Sequence, residues 1–322
     1  MDLIFTTPGT YLSVKDEMIL VTVGENKTKV SPAKVDRLIL TSDGVITTAV
    51  INLCTENNID IIILDKYGNP SGRFWHCRFG SLTTIRRKQL EYSEIEKGFE
   101  IAKGWIVQKI SNQIEFCEEI SKNRTLLHED ITPKLDSIRN NLENLKNLEC
   151  NSETKIGNII GLEGNSSRMY FEILNLCLSE RFKFNGRSRQ PAEDPFNAFL
   201  NYAYGVLYSE VEKGCIIAGL DPYIGFLHTD NYNKKSLVFD IIENFRIDAD
   251  TIVFHLFTKK LVNSSMYDEL KAGYSLNKEG KKLFFDERSK YYEKIVRYGN
   301  KNIARSGIIQ AFCHKFANEL LN

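Results

Sequence analysis

Near residue 80 this chain of 322 residues changes texture, and no other feature restricts its fold as much. Upstream, LIFTT, YLSVK, MILVTV, RLILT and IDIIILD are β-branched or alternating runs, punctuated by Gly9, Gly24, Gly44, Gly68 and Gly72. Short runs of this kind between glycines form strands. Only TTAVINLCTENN, before the last run, reads as a short helix. Downstream of RFWHCRFG the segments are long, rich in Lys, Glu and Leu and poor in β-branched runs, which is the pattern of helices. A single core stops growing at about 250 to 300 residues. The expectation is therefore an α+β chain of two domains: a small β-sandwich-like domain over residues 1–85 and a larger, all-helical domain over residues 86–322.

Hydrophobic residues make up 42% of the chain and charged residues 26%, enough apolar material to fill such cores. No apolar run reaches the roughly 18 residues of a bilayer span. The start, MDLIFTTPGT, lacks the basic and then apolar pattern of a secretory signal. The expected location is the cytoplasm, without membrane contact. Seven cysteines, at 54, 77, 117, 150, 177, 215 and 313, are scattered and never form a CxxC pair. That argues against both a disulfide framework and a thiolate zinc site. Lys plus Arg equals Asp plus Glu at 42 each, so a nucleic-acid partner has to be met by local patches. GxSxG, strand-following GxGxxG, GxxxxGKS/T and HExxH are all absent, which leaves hydrolase triads, dinucleotide folds, P-loop motors and zincins without support.

Two helical stretches carry specific expectations. The charged run ITPKLDSIRNNLENLKNLEC reads as a solvated hairpin. DERSKYYEKIVRYGNKNIARSG mixes basic and aromatic residues, as either a phosphate-facing surface or an exposed helix.

Three constellations can carry chemistry. In SLVFDIIENFR, Leu237, Val238, Ile241, Ile242 and Phe245 form an apolar stripe, and Asp240 and Glu243 stand three apart on another face. By itself this is an acidic face in water. Twelve residues before Asp240, however, GLDPYIGFLHTD delivers His228 from a turn stiffened by Gly219, Pro222 and Gly225. The second constellation is IIGLEGNSSRMYFEIL, where Glu163 interrupts an apolar helical pattern beside the small residues Gly164, Ser166 and Ser167. A charge there is costly unless paired or bound to metal. A mixed site of Glu, His and Glu or Asp suits Mg²⁺ or Mn²⁺, ions used mainly to handle phosphates. In the third, RFKFNGRSRQ packs Arg181, Lys183, Arg187 and Arg189 with Phe182 and Phe184, a fit to phosphate backbones and equally to a charged loop. The helix after it opens at Asp194 or Pro195 and aligns Asn197, Tyr204 and Tyr208.

The order LEGNSSRMYF, PAEDPFNAFLNYAYGVLYSEV, AGLDPYIGFLHTD, SLVFDIIENFR resembles the CRISPR-associated integrase and endonuclease family, the first of the two core adaptation proteins. The resemblance implies a metal-dependent DNA nuclease and integrase with an N-terminal β domain and a C-terminal helical catalytic domain. By motif it makes Glu163, His228 and Glu243 the ligands of Mg²⁺ or Mn²⁺, with Asp240 as the acidic neighbour. Around them Asn197, Tyr170, Tyr204 and Tyr208 are auxiliary candidates, and Arg181, Lys183, Arg187 and Arg189 are candidates for the DNA backbone. Where the family often has alanines, this chain carries Ser166 and Ser167. The resemblance also implies a homodimer joined through the β domain. Two such dimers would bracket a small ferredoxin-like second adaptation protein, acting on duplex foreign fragments and CRISPR repeat DNA. The rival readings are a noncatalytic nucleic-acid scaffold and a metal phosphoesterase acting on small molecules.

Overall fold

The computed structural model describes residues 1–75, 83–122, 124–149, 155–227 and 234–321. Its first part comprises β1 (Asp2–Phe5), β2 (Thr10–Lys15), β3 (Met18–Val23), β4 (Asn26–Val30), β5 (Arg37–Leu40), β6 (Gly44–Ile46), α1 (Thr48–Glu56), β7 (Asp60–Leu64) and β8 (Pro70–Phe74). The strands form two four-stranded sheets, ordered β4-β3-β2-β6 and β1-β5-β7-β8. In the second sheet β1, β5 and β7 are parallel, and β8 returns antiparallel along β7. Leu12 and Ile19 of the first sheet meet Leu38 and Ile61 of the second, with Val50 and Cys54 of α1, in one core. Their neighbours Ile39 and Ile62 point the other way, into a larger core shared with the helices. Burial on both faces is why RLIL and DIIIL are continuous apolar runs instead of alternating ones.

The second part comprises α2 (Thr83–Ser93), α3 (Glu96–Ser121), α4 (His128–Lys146), α5 (Lys155–Leu176), α6 (Pro195–Ala218), α7 (Ser236–Ile242), α8 (Arg246–Thr258), β9 (Tyr267–Leu270), β10 (Gly273–Leu276), α9 (Lys278–Tyr292), β11 (Ile295–Tyr298), β12 (Lys301–Ala304) and α10 (Ile308–Glu319). α6 is its axis. Asp194 caps it by accepting from the Asn197 N–H, Pro195 opens its first turn and Gly219 closes it. Phe196, Phe199, Tyr202, Val206, Val211 and Cys215 are buried along its length. α7, α8, α9 and α10 surround it.

Two expectations change here. The helical region also contains two antiparallel hairpins, β9–β10 and β11–β12. Their strands are four residues each, too short for a two-residue period to show, and the second hairpin takes up the latter half of the basic-aromatic stretch. The charged segment expected as a hairpin is the single helix α4. Ile131, Leu135, Ile138, Leu142 and Leu145 form its buried stripe against α3 and α5.

The two parts are joined by charge and by close packing. Arg37 of β5 and Arg288 of α9 each pair with both Asp2 of β1 and Glu210 of α6, with Arg37 Nη1 to Glu210 at 2.8 Å and Arg288 Nη1 to Asp2 at 3.2 Å. These four groups also border a cavity of about 600 Å³. The β7–β8 turn lies directly on α6. A Cβ added at Gly68 would sit 2.7 Å from the Tyr202 carbonyl oxygen, and one at Gly205 would sit 2.2 Å from the Gly68 carbonyl oxygen. Asp65 fixes that turn by accepting from the Tyr67 and Asn69 N–H groups. No helix among the described residues is long and apolar enough to cross a membrane.

Candidate metal centre and nucleic-acid cleft

Between α3, α5, α6, α7 and the β7–β8 turn lies a cleft of about 1190 Å³. Lys109, Arg168, Arg187, Arg189, Lys234 and Arg246 line it, against Glu163, Glu172 and Glu243. The wall is basic although the whole chain has no net charge.

Glu163 projects from the middle of α5, and Glu243 stands at the C-terminal end of α7. Both accept from Lys109 Nζ of α3: Glu163 through Oε1, and Glu243 through Oε2 at 2.6 Å. Ser167, one turn after Glu163, donates its hydroxyl to the same Oε1 at 2.8 Å. Arg246 Nε donates to Glu243 Oε2 at 2.9 Å. Burial alone would push the Glu243 carboxyl up, but the Arg246 and Lys109 charges beside it hold it at about 2. The residues therefore fit a hard cation. Two carboxylates from separate helices already converge on one positive centre, the Lys109 ammonium, and oxygen donors of this kind suit a divalent ion. Among the described residues no third His, Cys, Asp or Glu completes a cluster.

His228 lies outside the described residues. The chain leading to it is described. Phe226 and Leu227 are buried, and Asp240 Oδ2 accepts from their N–H groups at 2.6 and 3.1 Å. Gly225 presses on α7 so closely that a Cβ would fall 2.6 Å from Ser236 Cβ and 2.9 Å from Asp240 Oδ2. By its helical spacing alone Asp240 belongs to an acidic face in water. It is instead 1% exposed, because its carboxylate serves the backbone of the incoming loop. It thereby fixes Leu227, the residue before His228, to the helix that ends in Glu243.

The remaining candidates separate into cleft and core. Arg187, Arg189, Tyr204 and Tyr208 line the cleft. Asn197 is fully buried, holding the Gly186 carbonyl and Arg187, while Asn201 accepts from Arg187 at 2.8 Å; together they staple the basic loop to α6. Tyr170 is buried and donates to Asp250 at 3.0 Å, and Tyr204 donates to the other Asp250 oxygen at 2.5 Å. The guanidinium groups of Arg246 and Arg187 lie over the Tyr204 ring at 4.6 and 5.5 Å. Arg181 and Lys183 are not among the cleft-lining residues: Arg181 lies over Phe182, and Lys183 pairs with Glu180 at 2.9 Å. Phe182 and Phe184, whose interleaving with the basic residues fits phosphate contacts, are core residues; Phe184 stacks on Phe196 and Phe182 meets Phe257.

Lys109, Arg246 and Asp250 complete the arrangement and were not expected. Lys109 had a legible signal, since it shares the helix face of Trp105, Ile106 and Gln113, where a charge is as costly as at Glu163.

A helical domain behind a strand-rich one, with a carboxylate pair in a basic cleft, is the architecture of nucleic-acid-processing enzymes that the sequence motifs suggested. A family model described as CRISPR associated protein Cas1 matches residues 3–290, and the chain belongs to the Cas1 family. The CRISPR-associated endonuclease Cas1 1 of Archaeoglobus fulgidus is 29% identical over 314 residues, covering 94% of this chain and 91% of that one. The CRISPR-associated protein Cas1 3 of Methanobrevibacter ruminantium is 31% identical over 271 residues, covering 82% and 80%. Among solved structures, a casposase bound to integration product superposes with a TM-score of 0.85 at 22% identity, over 99% of this chain and 90% of that one. A Cas1 protein from Thermotoga maritima gives 0.83 at 21%, over 100% and 97%. These two share the fold.

Proposed function

We propose that this chain is a metal-dependent DNA endonuclease and integrase of CRISPR adaptation, inserting short duplex fragments of foreign DNA at the repeat by attack of a 3′-hydroxyl on a phosphodiester. One observation carries the reading: Glu163 and Glu243, from different helices, gather a single cation at the wall of a basic cleft. Membership of the Cas1 family and relatives named as endonucleases support it.

In this reading Glu163, His228 and Glu243 hold Mg²⁺ or Mn²⁺. Such an ion, when bound, stabilises negative charge on the phosphate and activates the attacking oxygen. The chain's own side chains do the rest. Glu243 stays ionised because Arg246 and Lys109 adjoin it. Ser167 orients Glu163, and Asp240 holds the backbone of Phe226 and Leu227, just before His228 in the chain. Arg187 and Arg189 contact phosphates from the cleft wall, with Arg181 and Lys183 further along the same loop. Affinity of that kind is salt-dependent and poor in sequence information. Water in place of the 3′-hydroxyl gives nuclease activity.

The proposed assembly is a homodimer through the β domain (residues 1–85), leaving residues 86–322 for catalysis. Two dimers would bracket the small ferredoxin-like second adaptation protein. A solved Cas6-RT-Cas1–Cas2 complex contains a chain that superposes with a TM-score of 0.82 at 19% identity, this chain spanning 35% of it. The cytoplasm is the proposed location.

The test is strand joining with the purified partner, duplex fragments, a repeat target and Mn²⁺. Glu163→Gln and His228→Ala each lower joining by about 10³-fold, the several kcal/mol contributed by a bound ion, while the protein stays folded. Undiminished joining by both variants would sink the site. DNA binding by the wild type without any metal-dependent cleavage or joining would leave a scaffold.

A further inference from the structure

We propose that Lys109 is a placeholder cation: its ammonium holds Glu163 and Glu243 together before a divalent ion arrives, and the ion must displace it in order to bind. The inference rests on the metal-site reading above.

Three observations carry it. Lys109 is buried, 7% exposed, on the face of α3 that also presents Trp105, Ile106 and Gln113. Packing in that stripe needs only an apolar side chain, so the ammonium is explained by its contacts, and its ionic partners among the described residues are the two candidate ligands. Second, the cluster is already balanced. Two carboxylates, Glu163 and Glu243, face two cations, Lys109 and Arg246. A divalent ion added without rearrangement would leave an excess of two positive charges in a largely buried site, where like charges repel strongly. Third, the two cations differ in how easily they can leave. Arg246 is held twice, by Glu243 at 2.9 Å and over the Tyr204 ring at 4.6 Å. Lys109 is a point charge on a flexible stem with three rotatable donors, and it already lines the cleft. The lysine is the one that yields.

A placeholder lysine has two consequences. The carboxylates stay gathered without a metal, where mutual repulsion would otherwise spread them. The ammonium that leaves them remains at the cleft wall, among the groups available to phosphate oxygens.

The experiment titrates full-length wild type, Lys109→Met, Lys109→Arg and Glu163→Gln with Mn²⁺ in the absence of DNA. Free Mn²⁺ is followed by electron paramagnetic resonance, and melting temperature is measured with and without the ion. Lys109→Met should bind Mn²⁺ about tenfold more tightly, the scale on which groups behind metal ligands act. It should also melt below wild type without metal and recover when saturated. Lys109→Arg keeps the charge and should not gain that affinity. Equal or weaker Mn²⁺ binding by folded Lys109→Met overturns the displacement while leaving the metal site standing. No Mn²⁺ binding by wild type or any variant removes the metal site and this inference with it. If Lys109→Met does not fold, wild type carries the test. Acetylation of Lys109 by an amine-specific reagent, read by mass spectrometry, should speed up when Mn²⁺ saturates the protein; an unchanged or slower rate overturns the proposal.

Discussion

Two buried clusters in this protein have the same inventory, two carboxylates and two cations, and are arranged differently. At the junction of the two domains Asp2, Glu210, Arg37 and Arg288 form a ring in which each guanidinium touches both acids. At the cleft, Lys109 touches both Glu163 and Glu243, while Arg246 touches Glu243 alone. The junction acids are 14% and 9% exposed, whereas Glu163 is 24% exposed and opens on the cleft. Planar forks closed on both acids fix a geometry; a lysine bridging two acids at an open wall can be exchanged for another cation. Equal charge thus ties the strand-rich and helical parts together in one place and, in the proposed reading, prepares a metal site in the other.

Mutations separate these roles. The largest effect is on activity: Glu163→Gln should lower metal-dependent joining by about 10³-fold yet barely move the denaturation midpoint, because its partner Lys109 keeps Glu243. Arg37→Ala should do the reverse. It leaves Asp2 and Glu210 buried with one cation fewer, at a cost of about 3–5 kcal/mol in chemical denaturation; a loss below about 1 kcal/mol would remove the contrast between the clusters.

A smaller effect follows from the wall behind the cleft. Burial pushes the Asp250 carboxyl up to about 6, against the Tyr204 and Tyr170 hydroxyls and the Arg246 and Arg187 charges, which pull it down. With an unfolded value near 3.9, the folded state binds that proton more tightly. The contribution to stability is full below about pH 4 and is lost as pH rises through 6. From pH 4.5 to 7.5, wild type should lose on the order of 1–3 kcal/mol relative to Asp250→Asn. Parallel pH profiles would mean that Asp250 is ionised throughout. Smallest of all, Ser167→Ala removes one hydroxyl from Glu163 and should weaken Mn²⁺ binding by about 1 kcal/mol, with no change in folding.

How much of this could be read in the sequence depended on where each residue finds its partner. Glu163 was conspicuous because a carboxylate in an apolar helical pattern needs a counter-charge. The same rule applied to Trp105, Ile106, Lys109 and Gln113 identifies that counter-charge. Asp194 and Pro195 marked the start of α6 because caps are local chemistry. Helical spacing alone puts Asp240 on a wet face, because its partners are backbone N–H groups of Phe226 and Leu227, which have no residue-type signature. Phe182 and Phe184 misled for a related reason. Aromatic residues next to arginines look the same whether they line a phosphate-binding surface or pack on Phe196 and Phe257. The hairpins β9–β10 and β11–β12 were too short to leave a period.

The contact between Gly68 and Gly205 bears on how such a chain can diversify. Tyr67, Asn69 and Pro70 of the β7–β8 turn form part of the cleft wall, and they stand there because two glycines let that turn rest on α6. A recombination event that imported a foreign β domain would need a matching glycine on each side of the seam, since a single methyl on either would strike backbone. The two parts, distinct in texture yet sharing a core through Ile39 and Ile62, are constrained at this seam from both sides.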